Sequence, residues 1–127
     1  MKLTLLTEPL SVIQVADLAV LDLTVTPLFL GVTTEEISVV LPTAAVPAAA
    51  LAREDDWRGF KIVGPLDFSL VGILAQLASL LAEQGISIFA LSTFNTDYIL
   101  VKSAQLPAAL QALNTQYEIS DEGGNAI

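Results

Sequence analysis

A chain of 127 residues has room for one compact domain, or for two very small ones that share a core. Fourteen acidic residues against five basic ones give a net charge of −9, which repels nucleic-acid backbones and anionic lipid surfaces, and no basic stripe offsets it. The absence of Cys and His removes disulfides, thiolate nucleophiles, zinc ribbons, haem ligands and the usual general base near neutral pH.

The 54% hydrophobic content supplies a core. It does not make a membrane span: Asp17, Asp22, Asp67, Pro42 and Pro47 break every apolar run short of the ~18–20 residues required. Glu8 and Pro9 end the first apolar stretch early, and no signal-peptide pattern follows, so the chain reads as soluble and cytoplasmic.

In chain order, KLTLLTEPLSVIQV predicts two extended pieces around a turn at Glu8-Pro9. TPLFLGVTTEEISVVLP predicts a hairpin, with β-formers Leu28 to Val32 and Ile37 to Val40 on either side of Thr33-Thr34-Glu35-Glu36. PTAAVPAAALA, broken by Pro42 and Pro47, supports one helical turn at most. The run Arg53 to Arg58, REDDWR, reads as a solvated linker between halves, since it lacks the alternation and glycine of a calcium loop. WRGFKIVG is the next strand. After a turn at GPL, with Asp67 or Ser69 as N-cap, Leu70, Ile73, Leu74, Leu77, Leu80 and Leu81 recur at helical spacing, and Gly85 is placed to end the helix. ISIFALS and DYILVK form a second hairpin, SAQLPAALQALN a short helix with Pro107 in its first turn, and QYEIS a last strand.

Strand–helix–strand–strand–helix–strand over Trp57 to Ser120 is the ferredoxin-like pattern. A worn echo lies in the first half: GVTTEEISVV aligns with STFNTDYILV at an offset of 61 residues, which sets Glu36 against Asp97.

The segment Gly64 to Lys102, GPLDFSLVGILAQLASLLAEQGISIFALSTFNTDYILVK, closely resembles the tandem ACT-domain proteins of a small bacterial group related to the regulatory end of aspartate kinases. The likeness extends more weakly to LTLLTEPLSV and TTEEISVV. It implies an α+β fold of two ferredoxin-like βαββαβ units in tandem, antiparallel sheets with helices on one face: a degenerate unit at 1–56, a full unit at 57–120 and a mobile tail at 121–127. It also implies no catalysis, no cofactor, and binding of a small ligand, usually an amino acid, between neighbouring units. In that family the ligand lies against the first strand–helix turn and the second strand of the facing unit, which carries over here to Leu66, Asp67, Phe68, Ser69 and Leu70 and to Thr93, Phe94, Asn95, Thr96 and Asp97. The first half has no good copy of GPLDFS, so at most one complete site per chain follows.

The chemistry suits a zwitterion. Unpaired amides and the helix dipole at a helix start favour a carboxylate, and Asp67 or Asp97 can accept from the ammonium group. Leu66, Phe68 and Phe94 can wall off a side chain. Plainer roles stand beside each: Asp67 as a cap, Asp97 as a turn residue, Thr93, Asn95 and Thr96 as hairpin-loop residues, Gly72 as a packing glycine, Phe89 and Tyr98 as core or interface. Ser69 has no base to make it a nucleophile. Resemblance and residues together predict either a sensor of an amino acid or similar small metabolite, partnered by itself as a homodimer and by an unidentified effector protein, or an assembly module that has kept the fold and lost the site.

Overall fold

A computed structural model describes residues 2–63 and 72–127. Its strands and α-helices are β1 (Lys2–Leu5), β2 (Leu10–Val15), β3 (Phe29–Val32), β4 (Ile37–Pro42), β5 (Ala52–Ile62), α1 (Ile73–Glu83), β6 (Phe89–Ser92), β7 (Asp97–Lys102), α2 (Leu106–Leu113) and β8 (Glu118–Asp121). The class is α+β, and β5-α1-β6-β7-α2-β8 keeps the order read from the sequence. Two compact units emerge: Glu8–Trp57, and Met1–Thr7 together with Arg58–Ile127. β5 contributes to both, its first half pairing with β2 and its second with β1.

In Glu8–Trp57 the strands lie in the order β3-β4-β2-β5, antiparallel throughout. Alternate residues Ile13 and Val15 of β2 and Val39 and Leu41 of β4 form its core, covered by loop residues such as Leu21, Leu28 and Val46. A single short 3-10 turn at Thr43–Ala45 follows β4, as the prolines dictate.

Arg53 to Arg58, expected as a linker, is instead the middle of β5. Its charges are accommodated rather than excluded. Asp55 accepts from the Ser11 hydroxyl at 2.5 Å and from Arg53 Nε and Nη2 at 3.1 and 3.0 Å, and Ser11 Oγ lies 2.9 Å from Thr43 Oγ1. Ser11 is fully buried, so these bonds replace its lost water. The pairing steps from Leu10↔Trp57 to Val12↔Glu54, which leaves Asp55 and Asp56 opposite Ser11: a β-bulge. Asp56 takes the left-handed conformation the bulge demands, φ 68°. Aspartate tolerates that region and β-branched residues do not. Asp56→Val is therefore expected to cost about 1–2 kcal/mol while Asp56→Gly is tolerated; urea denaturation of the two variants checks this.

In the second unit β1 sits between β5, antiparallel, and β8, parallel, although its place in the chain suggested the N-terminal unit. Leu3 explains the placement: it faces Ile62 on one side and Ile119 on the other, and all three are buried. β5 also pairs with β7, and β7 with β6. Leu77 and Leu81 of α1 and Ala109 and Leu113 of α2, each pair four residues apart, close over Phe60, Ile62, Ile99 and Val101.

α1 is described over Ile73–Glu83, preceded by Gly72 at φ 87°. That positive φ is a backbone conformation that glycine adopts freely and L side chains rarely do. The expected cap residues Asp67 and Ser69 lie outside the described residues. The predicted C-terminus of α1 holds: Gly85 at φ 71° donates to Ala82 O, and Ile86 to Leu81 O, at 2.9 and 3.0 Å. Beyond β8 the tail folds back, with the Asp121 amide donating to Asn125 O at 2.8 Å, the Asn125 amide to Asp121 Oδ1 at 2.9 Å, and the Ile127 amide to Ile119 O at 3.0 Å.

Tyr117 is 6% exposed, and its hydroxyl makes no hydrogen bond among the described residues. Burial pushes its phenol above the ordinary value of 10.0. Below that value both folded and unfolded chains keep the proton. As pH rises past it the unfolded chain ionises first, so stability is lost in alkali. Tyr117→Phe should match or exceed the wild-type urea midpoint at neutral pH, and its midpoint should decline less steeply above pH 10.

Candidate functional site

The β6–β7 hairpin carries the five described residues of the expected site. Ser92 and Asp97 are the last cross-strand pair, and Ser92 Oγ donates to Asp97 Oδ1 at 2.6 Å. Within the turn, the Thr93 amide and hydroxyl both donate to Thr96 O, at 2.8 and 3.1 Å. Thr96 is buried, and its hydroxyl donates to Ile62 O at 2.5 Å. That bond ties the hairpin to the end of β5, two residues before Gly64. Phe94, at the tip, is 84% exposed, and Asn95 is exposed beside it. Leu66, Asp67, Phe68, Ser69 and Leu70 lie outside the described residues. Ser92 was absent from the expected set; strand alternation from Ala90 places it on the same edge as Asp97's partner position, which is the signal that could have found it.

The β3–β4 hairpin repeats this turn. Thr33 donates its amide and its hydroxyl to Glu36 O, at 3.0 and 3.4 Å, as Thr93 does to Thr96 O. Phe29 pairs with Val40 as Phe89 pairs with Leu100. The true offset is thus 60 residues rather than 61. Glu36 corresponds to Thr96, and the counterpart of Asp97 is Ile37. Val32 stands where Ser92 does, so the polar cross-strand pair of one hairpin is an apolar pair in the other. Hydrogen-bonding geometry is kept and the acid is not.

Open depressions among the described residues include two away from the β6–β7 hairpin. One of about 190 Å³ is lined by Gln14, Glu36, Ser38 and Glu54 among others. One of about 270 Å³ is lined by Gln84, Gln111 and Thr115 with Ala108 and Ala112. Neither includes a residue of the β6–β7 hairpin. Among the described residues no group of three or more Asp or Glu is placed to hold a metal ion, and no helix is long and apolar enough to cross a membrane.

The sequence model of the ACT domain matches residues 52–115, half of the chain. The chain belongs to the ACT domain family. The matched segment runs from the start of β5 through α2 and contains the β6–β7 hairpin. Among curated relatives, the human protein named cytosolic arginine sensor for mTORC1 subunit 1 is 40% identical over 63 residues, 49% of this chain and 19% of that protein; the mouse protein matches equally. The chain therefore spans about a fifth of the length of the curated relatives it matches. Among solved structures, a protein from Agrobacterium tumefaciens superposes with a TM-score of 0.83 at 28% identity, covering 95% of this chain and 92% of that one. The ligand-free regulatory subunit of aspartate kinase from Thermus thermophilus superposes with a TM-score of 0.62 at 12% identity, covering 91% and 96%, a likeness of fold alone. The resemblance read from GPLDFS through DYILVK is thus a family relationship.

Proposed function

We propose that this chain is a non-enzymatic ACT module that binds an amino acid and acts through ACT–ACT packing in a cytosolic homodimer, read out by an effector protein. The two hairpins, matched at an offset of 60 residues, support descent from a tandem pair of ferredoxin-like units in which the copy at β3–β4 lost its acid. The observation that carries the reading is the 40% identity to an arginine sensor over half of the chain, together with an acid, Asp97, held at the mouth of a hairpin by Ser92. In this reading Asp97 and Asp67 face the ammonium or guanidinium group, the amides following Leu66 face the carboxylate, and Phe68 and Phe94 enclose the side chain with Leu66, Ser69, Leu70, Thr93, Asn95 and Thr96 around it. A ligand preferring one packing of ACT units shifts the population toward it, and only that difference in affinity transmits a signal.

A second reading has a specific observation in its favour. The Thr93 and Thr96 hydroxyls and one oxygen of Asp97 are already engaged by the protein's own atoms. A hairpin satisfied in this way suits an assembly module without a ligand.

Thermal melting with millimolar arginine, then with each other amino acid, separates the two. A sensor gains stability from at least one of them, because a ligand of the native state raises the midpoint by mass action. Asp97→Asn keeps an acceptor for Ser92, so it should melt as the wild type does without ligand and lose at least about tenfold in affinity for the ligand that shifted it. If no amino acid moves the midpoint, the assembly reading stands.

A further inference from the structure

One unit lacks the helical cover of the other. Glu8–Trp57 is described throughout and contains no α-helix. The offset of 60 residues shows where one is missing. The 3-10 turn Ser103–Gln105 and Pro107 lead into α2, whose Ala109 and Leu113 pack in one cluster with Ile99 and Val101. Their counterparts, the turn Thr43–Ala45 and Pro47, lead only to a bond from the Ala50 amide to Pro47 O at 3.2 Å, and by Ala52 the chain has entered β5. Val39 and Leu41, the counterparts of Ile99 and Val101, are packed by loop residues such as Leu21, Leu28 and Val46 instead.

This thinner cover leaves apolar surface in water. Leu30 and Val32 pair with Val39 and Ile37, so they share the face of that core, yet they are 43% and 56% exposed. The loop between β2 and β3, which sends Leu21 and Leu28 inward, holds Leu23 at 59% exposed, with Leu18 and Val20 also exposed. In the other hairpin the counterparts of Leu30, Val32 and Ile37 are Ala90, Ser92 and Asp97. The repeat therefore requires neither size nor apolarity at these positions, and large apolar residues gathered there mark an interaction surface. Charge narrows the partner. Glu8–Trp57 contains eight acidic residues and one basic one, Arg53, which is bound to Asp55. Asp17 and Asp22 are interleaved with Leu18, Val20 and Leu23, Glu35 and Glu36 follow Val32, and all four acids are exposed.

We propose that this face of Glu8–Trp57 docks a basic amphipathic helix of a partner protein, supplying the helical cover that α2 supplies to the other unit. The apolar stripe of the helix lies against Leu30, Val32 and Leu23, and its Lys or Arg residues reach the surrounding carboxylates. A second copy of this chain is a poor occupant, since α1 and α2, ILAQLASLLAE and LPAALQAL, hold no Lys or Arg. The inference stands apart from any amino-acid ligand.

A labelled, acetylated peptide of about five helical turns, with Leu at helical spacing and Lys elsewhere, tests the proposal by fluorescence anisotropy on the intact protein. It should bind and gain helical circular dichroism on binding. The same residues scrambled, so that no stripe forms, should bind about tenfold more weakly, and the version with Glu in place of Lys should not bind. Val32→Gln and Leu23→Gln keep the charge of the protein and should each weaken binding several-fold, with thermal melting confirming that both fold. Absence of binding overturns the proposal. Equal binding of the scrambled peptide assigns the attraction to overall charge and overturns it too, as does wild-type affinity in both variants. If light scattering finds a wild-type dimer that Val32→Gln dissociates, a second copy holds the face and the proposal fails.

Discussion

Phe60→Ala is expected to remove about 3–5 kcal/mol of folding stability, enough to lose most of the folded state in a domain of ordinary stability. Phe60 is fully buried in the second half of β5, paired with Leu5. It packs in the cluster formed by Leu3, Ile62, Leu77, Leu81, Ile99 and Leu113. Truncation would lose the transfer energy of the ring and leave a cavity that neighbouring strands, held in register by hydrogen bonds, cannot collapse to fill. The control is Leu23→Ala: Leu23 is 59% exposed, and its loss should stay within about 0.5 kcal/mol. Urea denaturation of the three proteins decides the matter. Similar midpoints for Phe60→Ala and wild type would mean that the centre of the core lies elsewhere.

The second large effect belongs to Thr96. Valine has its shape without the donor, so Thr96→Val leaves Ile62 O without the hydroxyl now 2.5 Å away. Both groups are buried, and an acceptor abandoned away from water costs about 1–3 kcal/mol. Thr93→Ala, at an exposed position, should cost less. Hydrogen exchange adds a local reading: amides of β6 and β7 should exchange faster in Thr96→Val, because the tie between the hairpin and β5 is gone. Unchanged exchange there, with an unchanged midpoint, would mean that the bond contributes nothing.

Much of the fold was legible because local periodicity carries it. Ile73, Leu74, Leu77, Leu80 and Leu81 announce α1, Gly85 ends it, and the two Thr-led turns announce their hairpins. Pairing across long distances was not legible. Leu3 and Leu5 identify a strand, but nothing local says that its neighbours are β5 and β8. Arg53 to Arg58 misleads because charge density resembles a linker, whereas β2 offers a free edge and Ser11 a partner for Asp55. The offset of 61 followed the likeness of Glu36 to Asp97; backbone geometry obeys Thr33 and Thr93 instead. At the candidate site the hairpin residues came from family resemblance, and their mutual hydrogen bonds, Ser92 to Asp97 above all, required coordinates.

The position of β1 bears on how this protein is made. Leu3 and Leu5 are synthesised before the surfaces they fill on β5 and β8. The order of translation and the order of assembly therefore run against each other. β1 must wait, apolar and unpaired, until β5 and β8 have both emerged, and a fragment starting at Arg58 would have a furrow between β5 and β8 where β1 belongs.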